Sequence, residues 1–575
     1  MPAQGRIATA ATQAVREARD YLFDHATDYD AAVDGFAWPH VDAFNFALEW
    51  FDVVAGENPD RAAVTIVEAD LSSRSWSYGQ LSARSDQVAN WLASLGVHRG
   101  SHVIVMLGNT IELWEVMLGI GKLGAVSIPT STLLSASDLA YRVEKGEVDA
   151  VVTLTSLADR LSQVPASLIR IGIGGDGDAL AQGWVGWDES HSAAEDFEPD
   201  GPTPADDIGL LYFTSGTTSR PKLVAHTQVS YPVGHLSTMW WLGVRPGDVH
   251  LNISSPGWAK HAWSSFYSPF LAQATVFVFN YDRFDAGVLM QVMDAHRVST
   301  LCAPPTVWRM LIQADLGQLR HPPRELVGAG EPLNPEVIHR VRTAWGSTIR
   351  DGYGQTEMTC CVGNSPGQVV KDGSMGRPTP GYPVVLVDPV TGERTESEGE
   401  VCLDLSQDVL GLMSGYYEDA AATAASREGG YHHTGDIASR DAQGYLTYVG
   451  RADDVFKASD YKVSPFELES ILLEHDLVIE AAIVPSPDEL RLAVPKAYIC
   501  LTPAAAADPD AAARAIFSHA RERLSAHLRI RIIEFVDDLP KTISGKIRRV
   551  DLRAREADRV ASGDATGQHL DRDYR

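Results

Sequence analysis

Short apolar runs alternating with helical patterns constrain the fold of this 575-residue chain more than any other feature. His102 to Leu107, Ala125 to Pro129 and Val148 to Leu154 read as buried strands, with a helix at Ile111 to Leu118 between the first two. Ser82, Val88, Leu92 and Leu95 share one helical face, and Gly96 follows as a stop. Leu251 to Ser255 and Ala274 to Asn280 resume the strand pattern. Strands that alternate with helices predict an α/β fold with mostly parallel sheets. The composition, 45% hydrophobic, supplies ample core for it.

One strand ends unusually. The apolar run Ile208 to Phe213 leads into Thr214-Ser215-Gly216-Thr217-Thr218-Ser219-Arg220-Pro221-Lys222, hydroxyls around one glycine closed by a proline and a lysine. Small residues let the backbone approach an anion, N–H and hydroxyl groups can donate to phosphate oxygens, and Lys222 adds positive charge. A Walker A loop would need a glycine separated by four residues from Gly-Lys-Ser/Thr, a pattern that is absent. A solvated Ser/Thr turn is the ordinary reading of such a cluster alone, but partners later in the chain weigh against it. Two G-x-G-x-x-G strings are rejected as dinucleotide sites. Gly119 to Gly124 follows a helix and leads into a strand, and Gly172 to Gly177 lacks a crossover helix after it.

The formal charge of −28 argues against nucleic acid and anionic membranes as partners, while leaving room for a nucleotide held by local positive charge. Five cysteines without a C-x-x-C pair fit a reducing cytosol with neither zinc site nor disulfide framework. The first twenty residues lack an apolar leader pattern and no run of about 18 apolar residues occurs. The expectation is a soluble, cytoplasmic protein.

Further along, Pro256-Gly257-Trp258-Ala259-Lys260-His261-Ala262-Trp263 sets aromatic and apolar groups where an acyl chain could lie, although either tryptophan alone reads equally well as core. Asp351-Gly352-Tyr353-Gly354-Gln355-Thr356-Glu357 offers a tight turn, a stacking ring, a hydroxyl donor and a carboxylate suited to Mg²⁺. The adjacent His432 and His433 would point opposite ways on a strand and read as structural. From about residue 455 a small α+β domain follows, with a helix from Pro465, strands Ala481 to Val484 and Lys496 to Leu501, and a helix from Asp510 to Leu528. It carries a basic loop, Pro540-Lys541-Thr542-Ile543-Ser544-Gly545-Lys546, in an otherwise acidic protein. The last twenty residues are polar and expected to fray.

Together these motifs resemble the superfamily of adenylate-forming enzymes: acyl-CoA synthetases, luciferases and peptide-synthetase adenylation domains. The resemblance spans about residues 45 to 553. Ser255-Pro-Gly-Trp-Ala-Lys-His, Gly328-Ala-Gly-Glu-Pro-Leu-Asn and Pro465-Phe-Glu-Leu-Glu-Ser look most like the medium-chain and aromatic-acid acyl-CoA synthetases. It implies a large domain over 1–449, a hinge at 450–455 centred on Asp453, a small mobile domain over 456–553 and a polar tail over 554–575. It implies ATP at Thr214 to Lys222, at Gly330, Glu331 and Pro332 along the adenine, at Asp351 to Thr356, and at Asp436 and Arg451 on the ribose. Thr356, Glu357 as Mg²⁺ ligand and Lys546 would be catalytic. Trp258 and His261 would flank the acyl group. Ser459, Asp460, Tyr461, Lys462 and Arg491 would face coenzyme A.

The implied reaction makes a carboxylate attack the α-phosphate of ATP, giving acyl-AMP and pyrophosphate, after which CoA displaces AMP. Bringing two anions together needs preorganised positive charge and no side-chain nucleophile. Three positions depart from the family pattern. Ser219 replaces a glycine, Asp460 another glycine, and Lys462 an arginine whose fork it cannot reproduce. Three readings follow from these observations: a full acyl-CoA ligase; a ligase competent mainly in the thioester-forming half, or one serving an acyl carrier protein; and a non-catalytic nucleotide or acyl-CoA sensor. Retention of Lys546, Glu357 and Asp436 weighs against the sensor.

Overall fold

The computed structural model describes residues 6–175, 183–214, 221–458, 461–488, 492–526, 528–542 and 546–574, with backbone only at 461, 462 and 492. The chain forms two compact units. The first contains the chain up to Thr214, Lys222–Val384 and Leu403–His432, and the second is built mainly from Val385–Cys402 and His433–Arg575.

Two large sheets build the first unit. Among the described residues, one has eight strands, with Val126–Pro129, His102–Met106, Ala150–Leu154 and Ile169–Ile173 parallel at its centre. Its remaining part is antiparallel, where Ile208–Phe213 turns back into Leu223–Thr227 and Gly415–Tyr416 pairs outside them. The other has nine strands around the parallel set Val249–Asn252, Thr275–Phe279, Thr300–Ala303, Glu325–Ala329 and Ile349–Tyr353. His102–Met106 and Thr275–Phe279 are buried at every position, as expected for parallel strands covered on both faces. This is the predicted α/β architecture.

The helix expected over Ile111 to Leu118 runs on to Lys122, and Gly119 within it packs where a Cβ would strike Val88. The first G-x-G-x-x-G string therefore closes a helix, as its sequence context indicated. The N-terminal region is helical over Ala10–Asp24 and Tyr29–Gly35, then π-helical over Phe46–Phe51, burying Phe46, Trp50 and Phe51. Trp38 is buried, and its indole N–H donates to Gly381 O at 2.9 Å.

The second unit holds a five-stranded sheet in which Tyr431–Arg440 and Leu446–Arg451 are antiparallel neighbours. It also holds a four-stranded sheet of Val478–Asp488, Leu492–Leu501, Ile532–Phe535 and Gln568–Leu570. Helices Pro465–Leu473, Pro509–Arg523 and Arg549–Ser562 belong to it.

Two expectations differ from what is observed. Residues 385–402 and 433–449, expected in the large domain, group with the second unit. The strand Leu446–Arg451 is tied into it: Ser464 Oγ donates to Val449 O, and the rings of Tyr448 and Phe466 meet at 5.7 Å. The C-terminal tail is ordered rather than frayed. Gln568–Leu570 pairs with Ile532–Phe535, Asp571 accepts from Arg521 and Arg531 at 3.1 and 3.2 Å, and Tyr574 packs on Phe517 at 5.6 Å. One aromatic ring and one buried carboxylate anchor a segment whose composition alone reads as disordered.

Candidate active site

In the first unit, three expected nucleotide segments leave the carboxyl ends of strands, where α/β sheets place their ligands. Thr214 follows Ile208–Phe213, Gly330 follows Glu325–Ala329, and the Asp351 motif begins in Ile349–Tyr353. The last two strands are parallel neighbours, with Ala329 opposite Gly352, so their segments emerge side by side. Gly330 adopts a φ of 107° and is exposed, and a side chain there would strain the backbone. Glu331 and Pro332 are half-buried.

The hairpin mouth of the hydroxyl-rich loop is well defined. Thr214 N donates to Lys222 O at 2.9 Å, and Lys222 N donates to Thr214 Oγ1 at 3.1 Å. Ser215, Gly216, Thr217, Thr218, Ser219 and Arg220 lie outside the described residues; Pro221 is half-buried. The Lys222 ammonium stands 4.5 Å from the Tyr416 ring centroid, and the Tyr416 hydroxyl donates to Glu357 Oε1 at 2.9 Å. Tyr416 thereby joins the loop's lysine to the expected metal ligand. No motif announced it, since a Gly-Tyr-Tyr string carries no chemical signature.

The Asp351 motif is held from beneath. The buried Asp351 carboxylate accepts from Gly352 N at 2.9 Å and Leu333 N at 3.3 Å. Burial pushes its carboxyl up to about 7 against those two donors. A Cβ on Gly352 would run into the Trp241 indole, and one on Gly354 into Thr359 O and the Trp263 ring. Tyr353, Gln355, Thr356 and Glu357 are half-buried. Thr356 O lies 2.8 Å from Nε2 of buried His226, whose pKa burial lowers to about 4. His226 is therefore neutral near pH 7 and, with Nε2 protonated, donates that bond.

The Trp258 segment spans both sheets of this unit. Gly257 lies where a Cβ would meet the Thr130–Ser131 backbone beyond one sheet, while Lys260 Nζ donates to Ala329 O at 3.3 Å in the other. Trp258 is half-buried. His261 is buried 5.9 Å from the Trp114 ring, its Nε2 3.1 Å from Asn109 Oδ1, and burial lowers its pKa to about 3. A neutral imidazole here is a polar wall, not a cation.

In the second unit, Asp436 and Arg451 are directly paired across antiparallel strands. Buried Asp436 Oδ1 accepts from the Tyr448 hydroxyl at 3.3 Å and from Arg451 at 3.5 Å, and Arg451 also faces exposed Asp453 at 3.5 Å. Gly435, with φ of 73°, leaves the room that the Arg451 guanidinium occupies. Lys546 is exposed at the closure of its loop, where Lys546 N donates to Thr542 Oγ1 at 3.1 Å and Thr542 N to Lys546 O at 2.8 Å. Among the described residues its ammonium forms no ion pair within 4 Å. Of the expected CoA face, Ser459, Asp460 and Arg491 lie outside the described residues, as do the side chains of Tyr461 and Lys462, whose backbone forms the strand Tyr461–Val463.

No helix among the described residues is long and apolar enough to cross a membrane. The AMP-binding enzyme family model matches residues 51–417, and the AMP-binding enzyme C-terminal domain matches 467–546. The chain is 42% identical to 4-hydroxybutyrate–CoA ligase 1 of Metallosphaera sedula over 90% of its length and 88% of the relative's. It is 34% identical to the human mitochondrial acyl-coenzyme A synthetase ACSM3, with 92% of each chain covered. Among solved structures, a Brucella canis acyl-CoA synthetase superposes with a TM-score of 0.70 at 31% identity, covering 94% of this chain and 98% of that one. With strand-end loops, paired Asp436 and Arg451 and an exposed loop lysine, these matches identify the chain as a member of the AMP-binding, adenylate-forming family of acyl-CoA synthetases.

Proposed function

We propose that this chain is an AMP-forming acid–thiol ligase acting on a short or medium-length carboxylic acid, with coenzyme A as thiol. In the first step a carboxylate oxygen bonds to the α-phosphorus of ATP while the bond to the β-phosphate oxygen breaks, releasing pyrophosphate. In the second the CoA thiolate attacks the acyl carbon, and the bond to AMP breaks. Two relatives frame the acid: one acts on 4-hydroxybutyrate, and the other is named for acyl groups in general.

The observation that carries this reading is the chain Lys222–Tyr416–Glu357, which joins the mouth of the hydroxyl-rich hairpin and its neighbouring strand in one sheet to the segment that follows Ile349–Tyr353 in the other. It sets a cation and a carboxylate where a triphosphate with its metal needs both. Glu357 fits Mg²⁺, because Tyr416 engages only Oε1 and Oε2 has no hydrogen bond among the described residues. Bound there, Mg²⁺ would offset charge on the departing pyrophosphate.

The remaining roles follow the family pattern. The Thr214–Lys222 segment grips the phosphates, the Gly330-Glu331-Pro332 strip lies along the adenine, and Asp436 with Arg451 receives the ribose hydroxyls. Lys546 offsets charge between carboxylate and α-phosphate, and Asp453 is the hinge that exchanges the two half-reactions. A cytoplasmic enzyme fits these assignments.

The test measures ATP-dependent CoA-ester formation and pyrophosphate release across straight-chain, 4-hydroxy and aromatic acids. Ester formation with stoichiometric pyrophosphate release is expected for at least one class. Thioester formation only from preformed acyl-AMP would favour a chain competent in one half-reaction.

A further inference from the structure

Glu400 and Cys402 stand two residues apart on the strand Glu398–Asp404, so their side chains share one face of the five-stranded sheet in the second unit. The neighbouring strand Tyr431–Arg440 brings His433 to the same place. His433 Nδ1 lies 2.9 Å from Glu400 Oε2 and 3.5 Å from Cys402 Sγ, and the three groups offer ligand atoms within 4.8 Å of one another. Cys402 is fully buried and Glu400 is 8% exposed, while the His433 side chain keeps 27% of its surface in solvent. Among the described residues no lysine or arginine lies within 4 Å of Glu400, so His433 is its one basic neighbour there. A thiol, an imidazole and a carboxylate that converge in this way make a donor set for Zn²⁺ rather than for Mg²⁺ or Ca²⁺, which take oxygen ligands. Tetrahedral Zn²⁺, with bonds of about 2.3 Å to sulfur and about 2.0 Å to nitrogen and oxygen, holds S and N about 3.5 Å apart and N and O about 3.3 Å apart. The first separation is already present, and the second needs Glu400 to draw back by about 0.4 Å.

We propose that Glu400, Cys402 and His433 form a zinc site, with water completing the tetrahedron. On binding, the Cys402 thiol releases its proton to solvent and its sulfur bonds to the ion. The imidazole stays neutral, its proton passing from Nδ1 to Nε2 so that the Nδ1 lone pair meets the metal. One thiolate and one carboxylate then cancel the ion's two positive charges, which suits a site this far from water. Glu400 Oε1 accepts from Gly435 N at 2.7 Å, so the occupied site would also brace the turn that leads to Asp436. The lack of C-x-x-C spacing, which argues against zinc in the sequence, says nothing of ligands drawn from two neighbouring strands.

The test takes the full-length protein, stripped of metal by dialysis against a chelator, and titrates it with Zn²⁺ in competition with a chromogenic chelator and separately with Co²⁺. One tight equivalent of Zn²⁺ per chain is expected, together with a thiolate-to-Co²⁺ charge-transfer band. Cys402→Ser should abolish the band, and His433→Gln should weaken Zn²⁺ binding by about 100-fold or more. Cys500→Ser is the control. It removes the thiol beside Glu480 and Asp538, where Lys541 already pairs with both carboxylates, and should change neither reading. Wild-type protein that shows no band, or takes up no tight equivalent of Zn²⁺, would overturn the proposal. A band kept by Cys402→Ser or lost in Cys500→Ser would place the metal elsewhere and overturn it too. If Cys402→Ser does not fold, His433→Gln decides, because its side chain is partly in solvent, and tight binding retained there would sink the assignment.

Discussion

At the scale of single residues, the reaction places its demand on charges that the fold leaves available. Lys546 projects from a loop closed by backbone and Thr542 contacts, and it is exposed. Lys546→Ala should lower pyrophosphate release by about 10²–10³-fold. Thioester formation from synthetic acyl-AMP and CoA should stay within a few-fold of wild type, which single-turnover assays of each half-reaction would resolve. Tyr416→Phe removes the hydroxyl that orients Glu357. It should raise the KM for MgATP and slow adenylation by about tenfold, while melting temperature stays nearly unchanged. Asp351 behaves differently. Its carboxyl is raised by burial to about 7, so the native state keeps a proton that the unfolded chain has released from the ordinary carboxylate range upward. Its contribution to stability therefore falls as pH rises from that range through about 7. Asp351→Asn should flatten that part of the stability–pH curve, read by denaturant titration at stepped pH.

At the scale of elements, the second unit contains a buried ion network that no motif predicts. Lys496, fully buried on Leu492–Leu501, meets Glu534 at 2.9 Å and also Glu556. Glu556 accepts further from Ser486 at 2.7 Å and Tyr498 at 3.0 Å, and so binds the helix Arg549–Ser562 to the sheet. Removing Lys496 leaves buried Glu556 without a cation among the described residues, while Glu534 keeps Arg555 and Arg559. Lys496→Ala should cost about 3–5 kcal/mol, whereas an exposed pair such as Arg340 with Glu336 should contribute under about 1 kcal/mol. Chemical denaturation of the two variants checks the contrast. The strands and helices themselves were largely legible. The Ala274 to Asn280 run appears as Thr275–Phe279, and the helix from Pro465 ends at Leu473. Local periodicity decides such elements, because a segment buried on both faces needs apolar side chains throughout. The ends drift by a residue or more, since caps and neighbours set them; Ser77 and Gln80 form the capping box that starts Tyr78–Ser94.

At the scale of the whole molecule, two compact units carry separate halves of the expected chemistry: strand-end loops in the first, and Asp436, Arg451 and Lys546 in the second. If Asp453 is the hinge, Asp453→Pro should slow the thioester step more than adenylation, because fixing φ restricts the swivel while leaving either static arrangement intact. Comparing acyl-AMP accumulation with CoA-ester formation in one time course would show it. The chain's own letters determined the α/β class, the order of the elements, the family and the positions of its motifs. Each of those depends on periodicity or on short strings whose spacing the chemistry dictates. Tertiary structure alone decided that Tyr416 meets both Lys222 and Glu357, the latter 59 residues away, and that a tail of disordered composition is anchored by Asp571 and Tyr574. Such facts concern distance and desolvation between segments remote in sequence, and no local pattern encodes them.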